Sequence, residues 1–524
     1  MSLIDAGQLG PKQAPSVIPV RRTRRKVRRA RILANARQLR DLLFEGKSVL
    51  ERDNLPPRLF IHNSGLVEVK SANGRTRVVP VDEGLLAVEL ADAADFFRLR
   101  GNELSPCVPP RGLTRALISL PAEDWSIPHL TGVIQSPTLR QDGSLLSAPG
   151  FDSITGLYYV PSDEPLAIPD EPTSAQVGDA VKLVQEPMED FPFANAASRA
   201  HTIAVMLTQA IRAAVAGPVP LVLLDAPAPG TGKSLLCTVM GTGRRVATMT
   251  WSPNLEEVRK AITSTLLDPP ELVVVDNITA PIGKEAGPLC AAVTAGEWSD
   301  RQLGHNRLVR VPVRCMWILN ANNLSATNEI ARRAIGIRLD AQCARPYERT
   351  GFKLRLCEWL PRNSGRITAA LVTIARGWFA AGQPAAQVRP LGSFEEWSRI
   401  IGGILEFAGI DGFLANQDEL HTHADDESAV IEGFLLAIID EFGEEPFLVA
   451  DLARKLCAPD ANPELLLVLP EKVANTLGDR GALQQALAYL FRDYAGRRFG
   501  ASGVHLVKAG EKHHAALWRV SRGG

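Results

Sequence analysis

This 524-residue sequence predicts an α/β fold with a parallel central sheet, and three stretches predict it. Val219 to Leu224 is a short apolar run, ELVVVDNI (271–278) is four apolar residues ending in an acid, and VRCMWIL (313–319) is a third such run. Each has strand length and reads as a strand buried on both faces. Segments with helical apolar spacing separate them, which is the alternation of a parallel sheet crossed by helices.

Length suggests roughly three domains, at about 100–200 residues each. Hydrophobic residues make up 45% and charged residues 22%, so nothing marks the chain as disordered or fibrous. Lys+Arg and Asp+Glu both number 58, so only local clusters can identify a partner. The cysteines at 107, 237, 290, 315, 343, 357 and 457 form no CxxC pair, as expected of thiols in a reducing compartment. No apolar run approaches the ~20 residues of a membrane helix and no secretory signal is visible, so a cytoplasmic protein without membrane contact is expected.

The chain opens with residues 1–20, rich in Gly, Pro, Gln and Ser. RRTRRKVRRAR (21–31) follows, with eight basic residues in eleven. This density suits contact with nucleic-acid phosphates through Arg21, Arg22, Arg24, Arg25, Lys26, Arg28 and Arg29; a solvated arm and a targeting signal are the alternatives. Leu33, Leu39, Leu42, Leu43, Val49 and Leu50 suggest a helix ending near Asn54-Leu55-Pro56-Pro57, so 1–55 reads as a basic arm and helix. From 58 to about 160 the pattern changes to short strands. RLFIHNSGLVEV (58–69) is a hairpin turning at Asn63-Ser64-Gly65, ANGRTRVVPV (72–81) is another turn and strand, and turns at Asp142-Gly143 and Gly150-Phe151-Asp152 close a mixed α/β module over 56–165. A Pro/Glu/Asp-rich linker (161–173) and an apolar helix (199–215) make 166–215 a connecting region.

The first buried strand breaks into Ala226-Pro227-Ala228-Pro229-Gly230-Thr231-Gly232-Lys233-Ser234, and helical periodicity resumes with Leu235. Strand, glycine loop, Lys-Ser and helix form a cradle for a triphosphate. Backbone N–H groups over Ala228 to Leu235 and the positive helix end face the phosphates, Lys233 reaches the outer ones, and the Ser234 hydroxyl ligates Mg²⁺. Pro227 stands where the usual pattern has its first glycine. RRVATMTW (244–251) is the next strand, followed by Ser252 as N-cap, Pro253 as first helical residue and a helix to about Leu266. ELVVVDNI then delivers Asp276 to the Mg²⁺ side of the phosphates, where it holds the ion through water.

After a helix at about 284–295, residues 298–313 read as a hairpin with Gly304-His305-Asn306-Arg307 at its turn. The strand behind it ends in Asn320-Ala321-Asn322-Asn323, whose amides can sense a γ-phosphate or position water. NEIARRAIGIRLD (328–340) sets Arg332 and Arg333 at a helix end before a short strand. From 345 to 415 the chain is mainly helical, with Trp359, Trp378 and Trp397 as core residues. HTHADDE (421–427) lacks a third ligand at metal spacing and reads as a linker. The last hundred residues give three helices and then a hairpin, the winged helix-turn-helix pattern. Its third helix enters a groove in DNA binders, and such units also dock proteins.

Residues from about 125 to 425 resemble the primase-helicase ATPases of phages, plasmids and mobile elements, ring-forming AAA+ enzymes close to superfamily 3 helicases. The resemblance is carried by PTLRQDGSLLSAPGFD (137–152), APAPGTGKS (226–234), VVVDN (273–277), DRQLG (300–304), NANNL (320–324), NEIARR and IRLD (328–340), RPYERTGF (345–352) and IGGILEFAGIDGFLAN (401–416). It implies an AAA+ P-loop ATPase core at 216–345 and a helical lid at 346–425. A pre-helicase domain would precede them at 56–165, and a winged-helix domain would follow at 426–524.

The implied activity is an ATP- and Mg²⁺-dependent DNA helicase, working as a homo-hexameric ring on single-stranded or forked DNA during replication of such an element. Lys233 and Ser234 carry over as phosphate and Mg²⁺ ligands, Asp276 as the Mg²⁺ acid, Asn322 as first sensor, and Arg332 or Arg333 as the finger toward a neighbouring subunit. His305, Asn306 and Arg307 fall where these enzymes carry a channel loop that grips phosphates without reading bases. Three positions depart from the pattern. Asn277 replaces the usual glutamate, so the water-activating residue is open, with Glu297 a candidate. Asn320 replaces a Thr. No paired-acid site of a primase is visible, so a separate primase or polymerase chain would be a partner. The alternative is a non-translocating initiator or loader that marks origin DNA with its wing and arm.

Overall fold

The structure, a computed structural model, describes residues 29–72, 75–161, 166–278, 282, 284–301, 308–324, 327–424, 426–500, 502–512 and 515–522. The chain divides at His129/Leu130 into two compact units.

In the first unit, Ala30–Leu33 pairs in parallel with Ala94–Arg100, which pairs antiparallel with Glu103–Pro106. The helix expected from Leu33 therefore starts later, at Leu39–Asp53. The Asn35 side chain explains the break: it donates to the Leu99 carbonyl at 3.0 Å and accepts from Leu99 N at 2.8 Å, acting as one more ladder residue. The expected hairpin forms from Leu59–His62 and Gly65–Ala72, with Asn63 and Ser64 left-handed at φ 49° and 65°, the twist a two-residue hairpin turn needs. Arg75–Pro80 adds a third strand. Helices Leu39–Asp53, Glu83–Ala93 and Arg111–Ile118 bury Leu42, Leu50, Leu86, Leu90, Leu113 and Leu117 against one another and the sheets.

The expected boundary near 165 is corrected, because the first unit closes at His129. Residues beyond it belong to the second unit. Thr138 Oγ1 donates to the Ala210 carbonyl at 2.8 Å, and Leu139 is fully buried in the second unit's core.

The second unit is mixed α/β around five strands: β1 (Leu221–Asp225), β2 (Val246–Thr250), β3 (Leu272–Ile278), β4 (Met316–Ala321) and β5 (Ala334–Arg338). Their order is β2-β3-β4-β1-β5 and every neighbour pair is parallel. The three apolar runs of the sequence are β1, β3 and β4, and β4 is buried along its whole length. Helix α1 (Lys233–Met240) follows β1, and α2 (Leu255–Leu267) follows β2. Asn254, not Ser252, caps α2, accepting from Glu256 N at 2.9 Å; the helix starts at Leu255, so Pro253 lies ahead of the cap. Glu297–Arg301 and Leu308–Pro312 form the predicted hairpin strands between β3 and β4. Its turn, with His305, Asn306 and Arg307, lies outside the described residues, as do Arg21 through Arg28.

Helix Ala196–Ala210, capped by Asn195, is buried almost throughout. Helices Leu356–Ala380 and Glu395–Phe407 pack on it, and Trp397 Nε1 donates to Thr208 Oγ1 at 2.8 Å. One hydrophobic core runs from Leu139 to Leu414, so the helices expected as a lid share the core of the sheet. Trp378 and Trp397 are fully buried and Trp359 packs at the rim, as expected of core residues.

HTHADDE does not form a linker: its described residues end helix Gln417–Ala424 and begin Asp426–Phe442. Beyond it, helices Asp426–Phe442, Val449–Leu456 and Arg480–Tyr494 surround a core of their own with Phe434, Leu452, Leu487, Phe491, Trp518 and Val520. Strands Val504–Lys512 and Ala515–Ser521 form the expected hairpin. Pro463–Leu467 and Glu471–Ala474 add two short helices between the second and third. Among the described residues no helix is long and apolar enough to cross a membrane, and all seven cysteines are free thiols.

His201 ties the helical segment to the sheet. It is fully buried; its Nδ1 donates to the Gly336 carbonyl of β5 at 2.8 Å, and its Nε2 accepts from Leu414 N at 3.0 Å. This pair of bonds requires the neutral ring, and burial pushes its pKa down to about 4 from 6.5. The stability that comes from keeping the ring neutral is fully present above pH 6.5. It is lost as pH falls toward 4, because the unfolded chain takes up a proton first; the difference is about 3 kcal/mol. We expect a melting temperature that falls between pH 6.5 and 4, and a flatter acid limb in His201→Gln. An unchanged limb would remove His201 as its cause.

Candidate nucleotide-binding site

The phosphate loop leaves β1 at Asp225 and enters α1 at Lys233. Gly230 and Gly232 adopt φ of 80° and 101°, and a Cβ on Gly230 would sit 2.8 Å from Tyr347 Cβ, so both conformation and space require glycine there. Left-handed turns of this kind aim backbone N–H groups into a concavity that suits an anion, and the N-terminus of α1 adds to it. Thr231 Oγ1 is buried with no hydrogen-bond partner among the described residues. Ala228 and Pro229 form the outer leg, Ser234 is exposed in the first turn of α1, and Leu235 packs against the core. Pro227 leaves its carbonyl to accept from Asn323 Nδ2 at 3.3 Å, so the loop closes without the usual first glycine.

The acid and the amides reach this loop from two neighbouring strands. β3 and β4 stay in register up to Val275 opposite Leu319, then resume at Ile278 opposite Ala321. Three steps on β3 face two on β4, which is a β-bulge at Asp276 and Asn277. A bulge re-aims the side chains it carries, and it is the device that ends regular pairing beside a site. Asn320 Nδ2 donates to Asp276 Oδ1 at 2.8 Å across the pair. Asn320 Oδ1 stays buried without a partner among the described residues. One residue past β4, Asn322 Oδ1 accepts from Lys233 Nζ. Lys233, only 9% exposed, has its pKa lowered by burial, while Asp225 and Asp276 pull it back up.

A second tier holds these groups. Asp225 accepts from Leu324 N at 2.8 Å through Oδ1 and pairs with Arg338 through Oδ2. Asn323, left-handed at φ 49°, donates its backbone N–H to the Ala226 carbonyl at 3.1 Å. The amide-bearing loop is thereby fastened to the first leg of the phosphate loop. Asp225 and Arg338, 113 residues apart, do not stand out as site residues in the sequence; Asn320 and Asn323 do, but their partners, 44 residues away at Asp276 and 96 at Pro227, do not. The one visible signal is a run of three asparagines in four positions at a strand end.

The two arginines separate in role. Arg333 folds back on its own helix, donating to the Glu329 carbonyl at 2.8 Å and pairing with the Glu329 carboxylate at 3.4 Å. Arg332 is exposed; its backbone N–H donates to the Asn328 carbonyl at 3.1 Å, and its side chain makes no hydrogen bond or ion pair with the described residues. Of the basic run, Arg29 and Arg31 are described: Arg29 lies half-exposed, 3.6 Å from Asp95, and the Arg31 guanidinium lies over the Phe97 ring at 4.4 Å. Glu297 opens the hairpin strand Glu297–Arg301 and is exposed; Asn277 lies on β3.

The arrangement presents a cation, a carboxylate and a hydroxyl at one sheet edge around a loop whose left-handed glycines suit an anion. Asn320→Ala removes the donor to Asp276 without touching the loop. Nucleoside triphosphate affinity should stay within a few-fold while turnover falls about tenfold to hundredfold, the usual cost of losing the group that orients a ligand carboxylate. Unchanged steady-state turnover would show that Asp276 needs no such support.

No protein-family model and no curated protein sequence matches the chain. Among solved structures, the A-form apo structure of the NrS-1 C-terminal region is similar at 10% identity and a TM-score of 0.35, covering 90% of this chain and 99% of that one. The X-ray structure of JCV helicase is similar at 14% identity and a TM-score of 0.23, covering 48% of this chain and 66% of that one. At these scores the functional reading rests on this chain's own residues.

Proposed function

We propose that this protein is an ATP-dependent, ring-forming DNA helicase with an AAA+ core, serving replication of a phage or mobile genetic element. The observation that carries the reading is the convergence at one sheet edge of the phosphate loop, Lys233, the bulged Asp276 and Asn322. The order β2-β3-β4-β1-β5, with the amide-bearing strand between the acidic strand and the loop strand, supports an ATPase of this kind.

The residues fit a nucleotide with Mg²⁺. Ser234 and Asp276 offer hard oxygens, and among the described residues no cluster of three or more His, Cys, Asp or Glu could cage a metal. Mg²⁺ suits such a site because it keeps waters and takes phosphate oxygens in place of further side chains. The ion, when bound, neutralises charge on the outer phosphates. Lys233 supplies the second positive charge. Its ammonium donates to Asn322 Oδ1, so a phosphate that recruits it frees Asn322, and that amide then answers to occupancy of the site. Asn320 holds Asp276 in place, and Thr231 offers an unsatisfied hydroxyl inside the loop. Arg332 is the finger toward a neighbouring subunit, since Arg333 is committed to Glu329. In this reading 426–524 is a winged-helix domain whose third helix, Arg480–Tyr494, turns Gln485, Tyr489 and Arg492 outward, residue types that suit nucleic acid. The basic run 21–31 and the hairpin turn at 305–307 are its further DNA contacts, and homo-hexamers and a separate primase or polymerase chain are its partners.

Strand displacement on a forked duplex, with and without ATP, tests the whole reading. ATP-dependent displacement supports a translocating helicase; ATP hydrolysis with DNA binding but no displacement would replace it with a stationary initiator or loader. Lys233→Ala should abolish hydrolysis with the fold retained, because it removes the cation at the outer phosphates. Arg332→Ala should bind ATP normally, hydrolyse it poorly and poison wild-type subunits in mixtures, whereas Arg333→Ala should chiefly lower the melting temperature. Activity strictly proportional to the wild-type fraction would deny Arg332 a role in trans.

A further inference from the structure

At the opposite end of the parallel sheet from the phosphate loop lies a cavity of about 500 Å³, within the range of small-molecule sites. Its walls come from the start of β4, the approach to β1 and the Gln141–Asp142 turn, and its floor includes Gly296 and Pro312 at the root of the hairpin. Arg314 stands two residues before β4 begins, so the length of β4, about 20 Å, separates this cavity from Asn322. It is not part of the nucleotide site.

Three arginines line it against one carboxylate, Asp142. Arg140 is neutralised: Nη2 donates to Asp152 at 2.8 Å, and its Nη1 donates to Ser144 Oγ and the Leu145 carbonyl at 3.1 Å each. Asp142 is exposed and turned to Ser144 N at 2.9 Å. Arg212 is held by uncharged acceptors, donating to the carbonyls of Arg314 at 3.1 Å, Val215 at 2.7 Å and Gly217 at 2.8 Å. Arg314 is half-buried, and its guanidinium makes no hydrogen bond or ion pair with the described residues. One anchored guanidinium, Arg212, and one without a bonded partner among the described residues, Arg314, thus share a cavity with no carboxylate bonded to either. Burial, and then the charge of Arg314, push Arg212 down to about 10, and burial lowers Arg314. An uncompensated pair of this kind costs stability, and an anion bound between the two groups would offset that cost.

We propose that Arg314 and Arg212 form a second anion site that binds a phosphate group, with Arg314 as the ligand-contacting fork and Arg212 as the backbone-anchored wall. Guanidinium groups match phosphate oxygens in pairs, and the cavity accommodates a body of nucleotide size behind the phosphate. The phosphate comes either from a free compound such as pyrophosphate or a nucleotide, or from a nucleic-acid chain. Because Gly296 and Pro312 share the cavity, an occupant touches the root of the hairpin.

The test uses the full chain carrying Lys233→Ala, so that the phosphate loop lacks its cation, with Arg314 intact, changed to Ala, or changed to Lys. Inorganic pyrophosphate and a single-stranded dT oligonucleotide are the probes, read by melting temperature and by titration. Pyrophosphate should raise the melting temperature of the Arg314 chain in a dose-dependent way. Arg314→Ala should bind at least tenfold more weakly, and Arg314→Lys should keep part of the affinity. The unliganded Arg314→Ala chain should melt no lower than its parent, since a repulsion with Arg212 is gone. Dependence on Arg314 for both probes identifies a nucleic-acid phosphate; dependence for pyrophosphate alone identifies a free phosphate compound. Identical titrations for Arg and Ala with both probes would overturn the site.

Discussion

Parallel pairing of β1 with β4 sets Leu224 opposite Asn320, and pairing of β3 with β4 sets Val275 opposite Leu319. All strand C-termini of a parallel sheet lie on one edge, so the loop from β1, the acid of β3 and the amides of β4 arrive together there. Carried one residue past Val275 and Leu319, that register sets Asp276 beside Asn320, whose amide it meets. The bulge comes into effect beyond, where Ile278 faces Ala321 and regular pairing ends. Asn322, one residue past β4, meets Lys233. The rest of the site is support for that meeting, from Arg338 on Asp225 to Asn323 on the loop backbone.

The support extends through one buried helix. Ala196–Ala210 has few exposed positions, so its polar groups must be satisfied internally. Thr202 and Thr208 bond their own helix, Gln209 reaches the Met240 carbonyl at 3.0 Å, and His201 spans from β5 to Leu414. These bonds tie α1, β5 and the helices after 356 to a single element. The shared core from Leu139 to Leu414 follows from this, and separate folding of the helical segment does not.

The two ends of β4 serve two different sites. Its C-terminal end presents amides to the candidate nucleotide, with the nearby cation engaged by Asn322. Its N-terminal approach presents Arg314 to a cavity that the hairpin root also lines. Every residue of the strand between them is buried, so β4 spaces the candidate nucleotide site from the proposed phosphate cavity.

The sequence by itself determined the local chemistry. Gly230 and Gly232 are readable because their left-handed backbone excludes other side chains, the Asn63-Ser64 turn because of its position between two apolar runs, and β1, β3 and β4 because buried strands leave continuous apolar runs. Tertiary structure alone decided which residues met across distance. The carbonyl at Ala210 that claims Thr138, and so moves the unit boundary to His129, lies 72 residues along the chain. The roles of Asn320 and of Arg332 against Arg333 depend on a strand partner and on a backbone acceptor. The phosphate cavity depends on Arg212 and Arg314, which are 102 residues apart. Periodicity and spacing report forces within about one element's length. Hydrogen bonds and charges between elements depend on register, and register is set only when the core closes.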